Sequence, residues 1–102
     1  MANRSYDPDH LHNLMESVND EVSFLGFLDA LAGDFALERA IEEKTPSSPY
    51  SQGALGWENF SVDSVLDAAQ AYGNASKNGW KTDHNNVWRR CAEILLAGKF
   101  YE

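Results

Sequence analysis

The stretch from Val87 to Ala97 constrains the fold more than any other. Placed at about 100° per residue, Val87, Trp88, Cys91, Ala92, Ile94, Leu95 and Leu96 cover an arc of about 200°. Only Arg89, Arg90 and Glu93 interrupt it with clear polarity. A helix apolar over more than half its circumference needs neighbours on several sides, so this one is expected at the centre of a helical core. It should begin near Asp83–Asn86 and stop at Gly98. The projection turns Trp88, Cys91 and Leu95 inward and leaves Arg89 and Arg90 outside. Phe100, Tyr101 and Glu102 should then fold back on the core as a latch.

Three more helices are expected upstream. Asp7 and Pro8 open the first, Pro8 suiting a position whose N–H would be unsatisfied anyway. Leu11, Leu14, Met15 and Val18 give it one apolar face, so a helix over Pro8–Ser17 should pack as a lid. Asp20 caps the second, in which Phe24, Leu25, Phe27, Leu28, Leu31, Ala32 and Phe35 fall within roughly 160°. Glu21, Ser23, Asp29 and Asp34 take its other side. Gly33 and Asp34 should end or kink it near Ala32. Leu37, Ala40 and Ile41 lie on a different face, so either a short helix begins near Asp34 or one long helix offers two faces. Ser61 caps the third, with Val62, Val65, Leu66, Ala68, Ala69 and Tyr72 inward, and Gly73 with Asn74 should stop it.

Two long loops join these segments. Residues 44–56 hold two prolines, three serines and two glycines and read as a flexible or functional loop, with Tyr50 and Leu55 as pins. Residues 74–85 are polar apart from Trp80, which is either an anchor on the core or a recognition residue. No period-2 alternation argues for a sheet. The expected fold is therefore all-α, one compact single-domain bundle of four to five helices over residues 1–102. Its structural core is expected to hold Phe24, Phe27, Leu28, Leu31, Val65, Leu66, Trp88, Leu95 and Tyr101.

Charge narrows the partners. Sixteen acidic residues against eight basic ones give a net charge of −8. Residues 1–76 carry thirteen acids and three bases, while residues 77–102 carry three acids and five bases. Nucleic acid and anionic membrane surfaces both need clustered Lys and Arg, so neither is expected as a partner. A basic protein is the expected partner, with Glu38, Glu42, Glu43, Asp63, Asp67 and Trp80 as the binding residues. The plainer reading of those carboxylates is a solvated acidic face. The single cysteine, Cys91, excludes an internal disulfide and reads as a small core residue. With no apolar run of about 18 residues and no apolar leader at the N-terminus, the cytoplasm is the expected location.

Chemistry is sparse. Asp7, Asp9, His10 and His12 cluster in sequence, with His84 available, but His-x-His is not the i, i+4 spacing of helical zinc sites. No phosphate loop, dinucleotide fingerprint or nucleophile elbow occurs. No catalytic residue, metal or cofactor is expected. The alternatives to a protein-binding domain are a small-molecule binder or minor enzyme with its pocket near Trp57 and Trp80, and a homodimer joined through Leu37, Ala40 and Ile41.

Three segments also form a recognisable set: Val18-x5-Phe24-x2-Phe27-Leu28-x2-Leu31, Trp57-x-Asn59-x-Ser61-x3-Val65-Leu66-x-Ala68, and Trp88-x3-Ala92-x-Ile94-Leu95-x-Ala97-x-Lys99-x-Tyr101-Glu102. Together they resemble an uncharacterised family of small acidic bacterial proteins, over about half the chain. The resemblance implies a helical fold and, by analogy of size and charge, an immunity- or antitoxin-like role. The Pro8–Ser17 helix and the 44–56 loop depart from that pattern.

Overall fold

The computed structural model describes residues 7–49, 51–79 and 85–101. Among them are four helices and no strand: α1 (His10–Glu16), α2 (Glu21–Lys44), α3 (Val62–Ser76) and α4 (Val87–Ala97). Helix α4 touches each of the other three, and α1 also packs on α2. The chain's extents are 42 × 31 × 20 Å. Helix α2 is the longest, its 24 residues spanning about 36 Å at ~1.5 Å per residue.

Local chemistry explains the helix starts. Asp20 and Ser23 form a capping box at α2: Ser23 N–H donates to Asp20 Oδ1 at 2.9 Å and Asp20 N–H to Ser23 Oγ at 3.1 Å. Ser61 and Ser64 repeat the device at α3, at 3.3 and 3.1 Å. Asn86 caps α4 through Arg89 N–H at 3.0 Å, and its amide donates to Val18 O, tying α4 to the end of α1. Helix α1 starts later than Asp7 and Pro8 suggest. Asp7 Oδ1 accepts from Asp9 N–H at 2.9 Å, and this tight turn delays the helix to His10.

Several expectations need correction. Helix α1 is no lid: Leu11, Met15 and Val18 supply half of a buried cluster completed by Phe27, Ala92 and Leu96. Helix α2 runs unbroken through Gly33, so the long-helix alternative with two faces is the observed one. Helix α3 passes through Gly73 and Asn74 to Ser76 because Arg90 closes its end. The guanidinium donates to Gly73 O and Ser76 Oγ, both at 3.0 Å. That carbonyl would otherwise be an orphan of the last turn, and the cation also suits the helix's negative end.

Arg90 is therefore turned inward, which rotates α4 from the projected orientation. Arg89 and Arg90 are half-buried, Cys91 is exposed, and Trp88 is 38% exposed with its ring 5.5 Å from that of Phe24. Leu66, expected in the core, is 55% exposed. Phe27 is fully buried. Phe24, Leu31 and Leu95 pack half-buried on the cluster. Leu28, Val65 and Tyr101 are half-buried outside it.

The C-terminal strap is held by the segment before α3. Glu58 N–H donates to Lys99 O at 2.9 Å, and the Asn59 amide donates to Gly98 O at 3.0 Å and Tyr101 O at 3.4 Å. Lys99, not Phe100, is the buried member: Lys99 is 7% exposed and Phe100 lies open to solvent. Tyr101 meets Tyr72 edge-on at 5.5 Å. Gly98 stops α4 with an ordinary helical φ of −58°. What it provides is space, since a Cβ there would lie 2.8 Å from both Val65 Cγ1 and Val65 O.

Candidate functional site

The acidic residues divide into two sets. Asp34, Glu38 and Glu42 recur every four residues along α2, so they share one face. The chain after α2 lies against that face. Ser47 N–H, Ser47 Oγ and Ala54 N–H donate to Glu42 at 2.7, 2.5 and 2.8 Å. Leu55 N–H donates to Glu38 Oε1 at 2.8 Å, and Trp57 N–H reaches the same oxygen at 3.4 Å. Asp34 Oδ2 accepts from Trp57 Nε1 at 2.8 Å and Lys99 Nζ at 2.9 Å. Glu38 is 1% exposed, and its Oε2 is enclosed without a hydrogen-bond partner among the described residues.

These three carboxylates are thus a rail that fastens Ser47, Ala54, Leu55 and Trp57 of the returning chain and Lys99 of the C-terminal strap. That corrects the placing of Glu38 on a solvated face and of Asp34 on the outer side of α2. Glu42, half-buried, is engaged by Ser47, whose hydrogen bonds hold its carboxyl below the usual range. The described residues between 45 and 57 carry no regular secondary structure but are fastened to α2 at Ser47, Ala54, Leu55 and Trp57, the last two buried.

Glu43, Asp63 and Asp67 are exposed, as is Asp29. Ser61 Oγ donates to Asp63 Oδ1 at 2.6 Å, which lowers the Asp63 pKa. Tyr50, Trp80, His84 and Glu102 lie outside the described residues. Leu37 and Ala40 are exposed and Ile41 half-buried. Asp7, Asp9, His10 and His12 are exposed, and the His12 ring nitrogen sits 3.2 Å from Glu16. Among the described residues no three His, Cys, Asp or Glu side chains converge as metal ligands, and no helix is long and apolar enough to cross a membrane.

Helices α2 and α3 both lie on α4 but do not pack on each other. Between them is a groove of about 580 Å³. Leu28, Leu31 and Phe35 form its α2 wall, Val65 and Leu66 its α3 wall, and Trp57 lies between them. Phe35 and Trp57 are fixed edge to face at 4.7 Å. Phe60, Val62 and Leu66 line the groove while 53%, 78% and 55% exposed. Large side chains so open to water on one surface mark a contact site more often than chance.

The groove continues past Phe35, Arg39 and Phe60 into a recess of about 320 Å³ that ends at Glu42 and Glu43. Asp63 and Asp67 follow Val62 and Leu66, each turned about 100° from the groove-lining residue before it, and Asp29 follows Leu28 in the same way, while Glu43 lines the recess itself. Arg39 is the basic residue lining the groove, and its guanidinium lies 5.6 Å from the Phe35 ring centroid. An apolar trough that ends at carboxylates, on helices with further exposed acids, is complementary to an amphipathic segment carrying basic residues.

Comparison of the chain with known protein families, with curated proteins and with solved structures finds no match.

Proposed function

We propose that this chain is a non-enzymatic protein-interaction domain whose α2–α3 groove receives an amphipathic, basic helix from a partner protein. The observation that carries the reading is the exposure of Phe60, Val62 and Leu66 along a groove whose recess ends at Glu43, on helices that also expose Asp29, Asp63 and Asp67. An amphipathic helix would bury its apolar stripe on Leu28, Leu31 and Val65 and set Lys or Arg against those carboxylates. A neutraliser of a basic partner, of the immunity or antitoxin kind suggested by the sequence resemblance, would work in this way.

The experiment is a titration with two synthetic helical peptides of the same apolar pattern, one built of Leu and Lys, the other of Leu and Glu. The Leu/Lys peptide should bind with resonance shifts at Phe60, Val62 and Leu66. The Leu/Glu peptide should not bind. Leu66→Asp with Phe60→Ser should abolish binding while the far-UV spectrum stays helical. Equal binding of both peptides, or binding that survives the double variant, overturns the reading.

A further inference from the structure

A second opening lies on the other side of α3. Helices α1 and α3 both pack on α4 and not on each other, leaving a cleft of about 380 Å³. Its floor is one face of α4, on which Arg89, Glu93 and Leu96 succeed one another at i, i+4 and i+7. Met15 of α1 closes one side and Tyr72 with Tyr101 the other.

The charged groups in this cleft are unequally satisfied. Glu93 accepts from the Tyr72 hydroxyl and sits 3.8 Å from Arg90, which also closes the end of α3. Burial, reinforced by Glu93, raises the Tyr72 pKa, so the phenol remains a donor to that carboxylate. Lys99, the other base in the packed interior, is paired with Asp34. Arg89 differs from both. It is half-buried and lines the cleft; its backbone N–H donates to Asn86, while its guanidinium makes no hydrogen bond or ion pair among the described residues. A guanidinium offers five donors in a planar fork matched to two carboxylate oxygens.

We propose that the α1–α3 cleft binds a small organic monocarboxylate, held by Arg89 with its apolar body between Met15 and the Tyr72–Tyr101 pair. The cleft's size falls in the range of small-ligand sites. One negative charge is the fit. Glu16 and Glu93 line the same cleft, so a dianion such as phosphate would meet two carboxylates for each guanidinium. The site is independent of the α2–α3 groove, and neither proposal depends on the other.

The test is a calorimetric and NMR titration of the intact chain with acetate, hexanoate and phenylacetate, against 2-phenylethylamine and inorganic phosphate. Hexanoate or phenylacetate should bind saturably and shift the Arg89 side-chain and Tyr101 resonances, and the amine should not. Arg89→Met should weaken binding by about tenfold or more, the scale of losing a charged hydrogen-bond pair. Arg89→Lys, which keeps the charge without the fork, should fall between. Absence of saturable binding by all three acids overturns the proposal. So does equal affinity for the amine, or phosphate binding as tightly as phenylacetate. Unchanged affinity in a folded Arg89→Met variant does the same. The wild-type arm decides even if that variant does not fold.

Discussion

Glu38 and Gly53 occupy one another's space: the buried Glu38 carboxylate lies where a Cβ on Gly53 would stand. The loop can come this close to α2 because residue 53 has no side chain. Its approach lets Leu55 and Trp57 N–H groups reach the carboxylate. Gly53→Ala should therefore cost about 1–3 kcal/mol, as overpacking does. Glu38→Ala should cost about 1–3 kcal/mol for each buried N–H left bare. Urea unfolding followed by far-UV dichroism measures both, and a neutral Gly53→Ala would show that the loop is not seated on α2.

Glycines elsewhere should respond in opposite directions. Gly98→Ala forces a Cβ to within 2.8 Å of the Val65 backbone and side chain, and should destabilise by about 1–3 kcal/mol. Gly26 and Gly33 lie within α2 with no atom near a Cβ position, so Gly26→Ala and Gly33→Ala should each stabilise by about 0.5–1 kcal/mol. Melting temperatures of the three variants check the contrast in sign.

The Asp34–Lys99 pair is 2.9 Å long and both side chains are 8% exposed. Removing one partner of a buried pair leaves an uncompensated charge, so Lys99→Met should cost about 3–5 kcal/mol. Asp34→Asn with Lys99→Met together should cost clearly less than the sum of the single changes. Strict additivity in that double-mutant cycle would mean the pair is not coupled.

Stability should fall on acidification. Hydrogen bonds from Ser23, Ser47 and Ser61 lower the pKa values of Asp20, Glu42 and Asp63 in the folded state. Depressed carboxylates contribute stability above their unfolded pKa, and it is lost as pH falls through the folded pKa. The melting temperature should thus be level near neutrality and decline below the ordinary carboxylate range. Glu42→Gln should make the decline shallower. A melting temperature that rose on acidification would contradict the assigned hydrogen bonds.

Asp20 and Ser61 mark helix starts because a cap acts within three residues of itself, whereas the start of α4 is bounded only to Asp83–Asn86. Leu11, Met15 and Phe27 reveal their faces by spacing. Spacing alone turns Trp88 and Cys91 inward and Arg90 outward, because the apolar arc of α4 is so wide that its buried centre can lie in several directions. What chose among them was Arg90's hydrogen bond to Gly73 O, a carbonyl 17 residues away. The α2–α3 groove left no sequence signal, since Leu66 and Val62 have the same spacing as core residues.

The sequence by itself determined a helical architecture, the starts of α2 and α3 and the central place of α4, because those follow from periodicity and nearest-neighbour hydrogen bonds. The tertiary structure alone decided which acids face water. Asp34, Glu38 and Glu42 are engaged by backbone and side-chain donors 5 to 65 residues away, while Glu43, Asp63 and Asp67 stay exposed. A carboxylate on a helix face looks the same in sequence whether water or a returning chain satisfies it. Only the path of residues 45–57 and 98–101 separates the two.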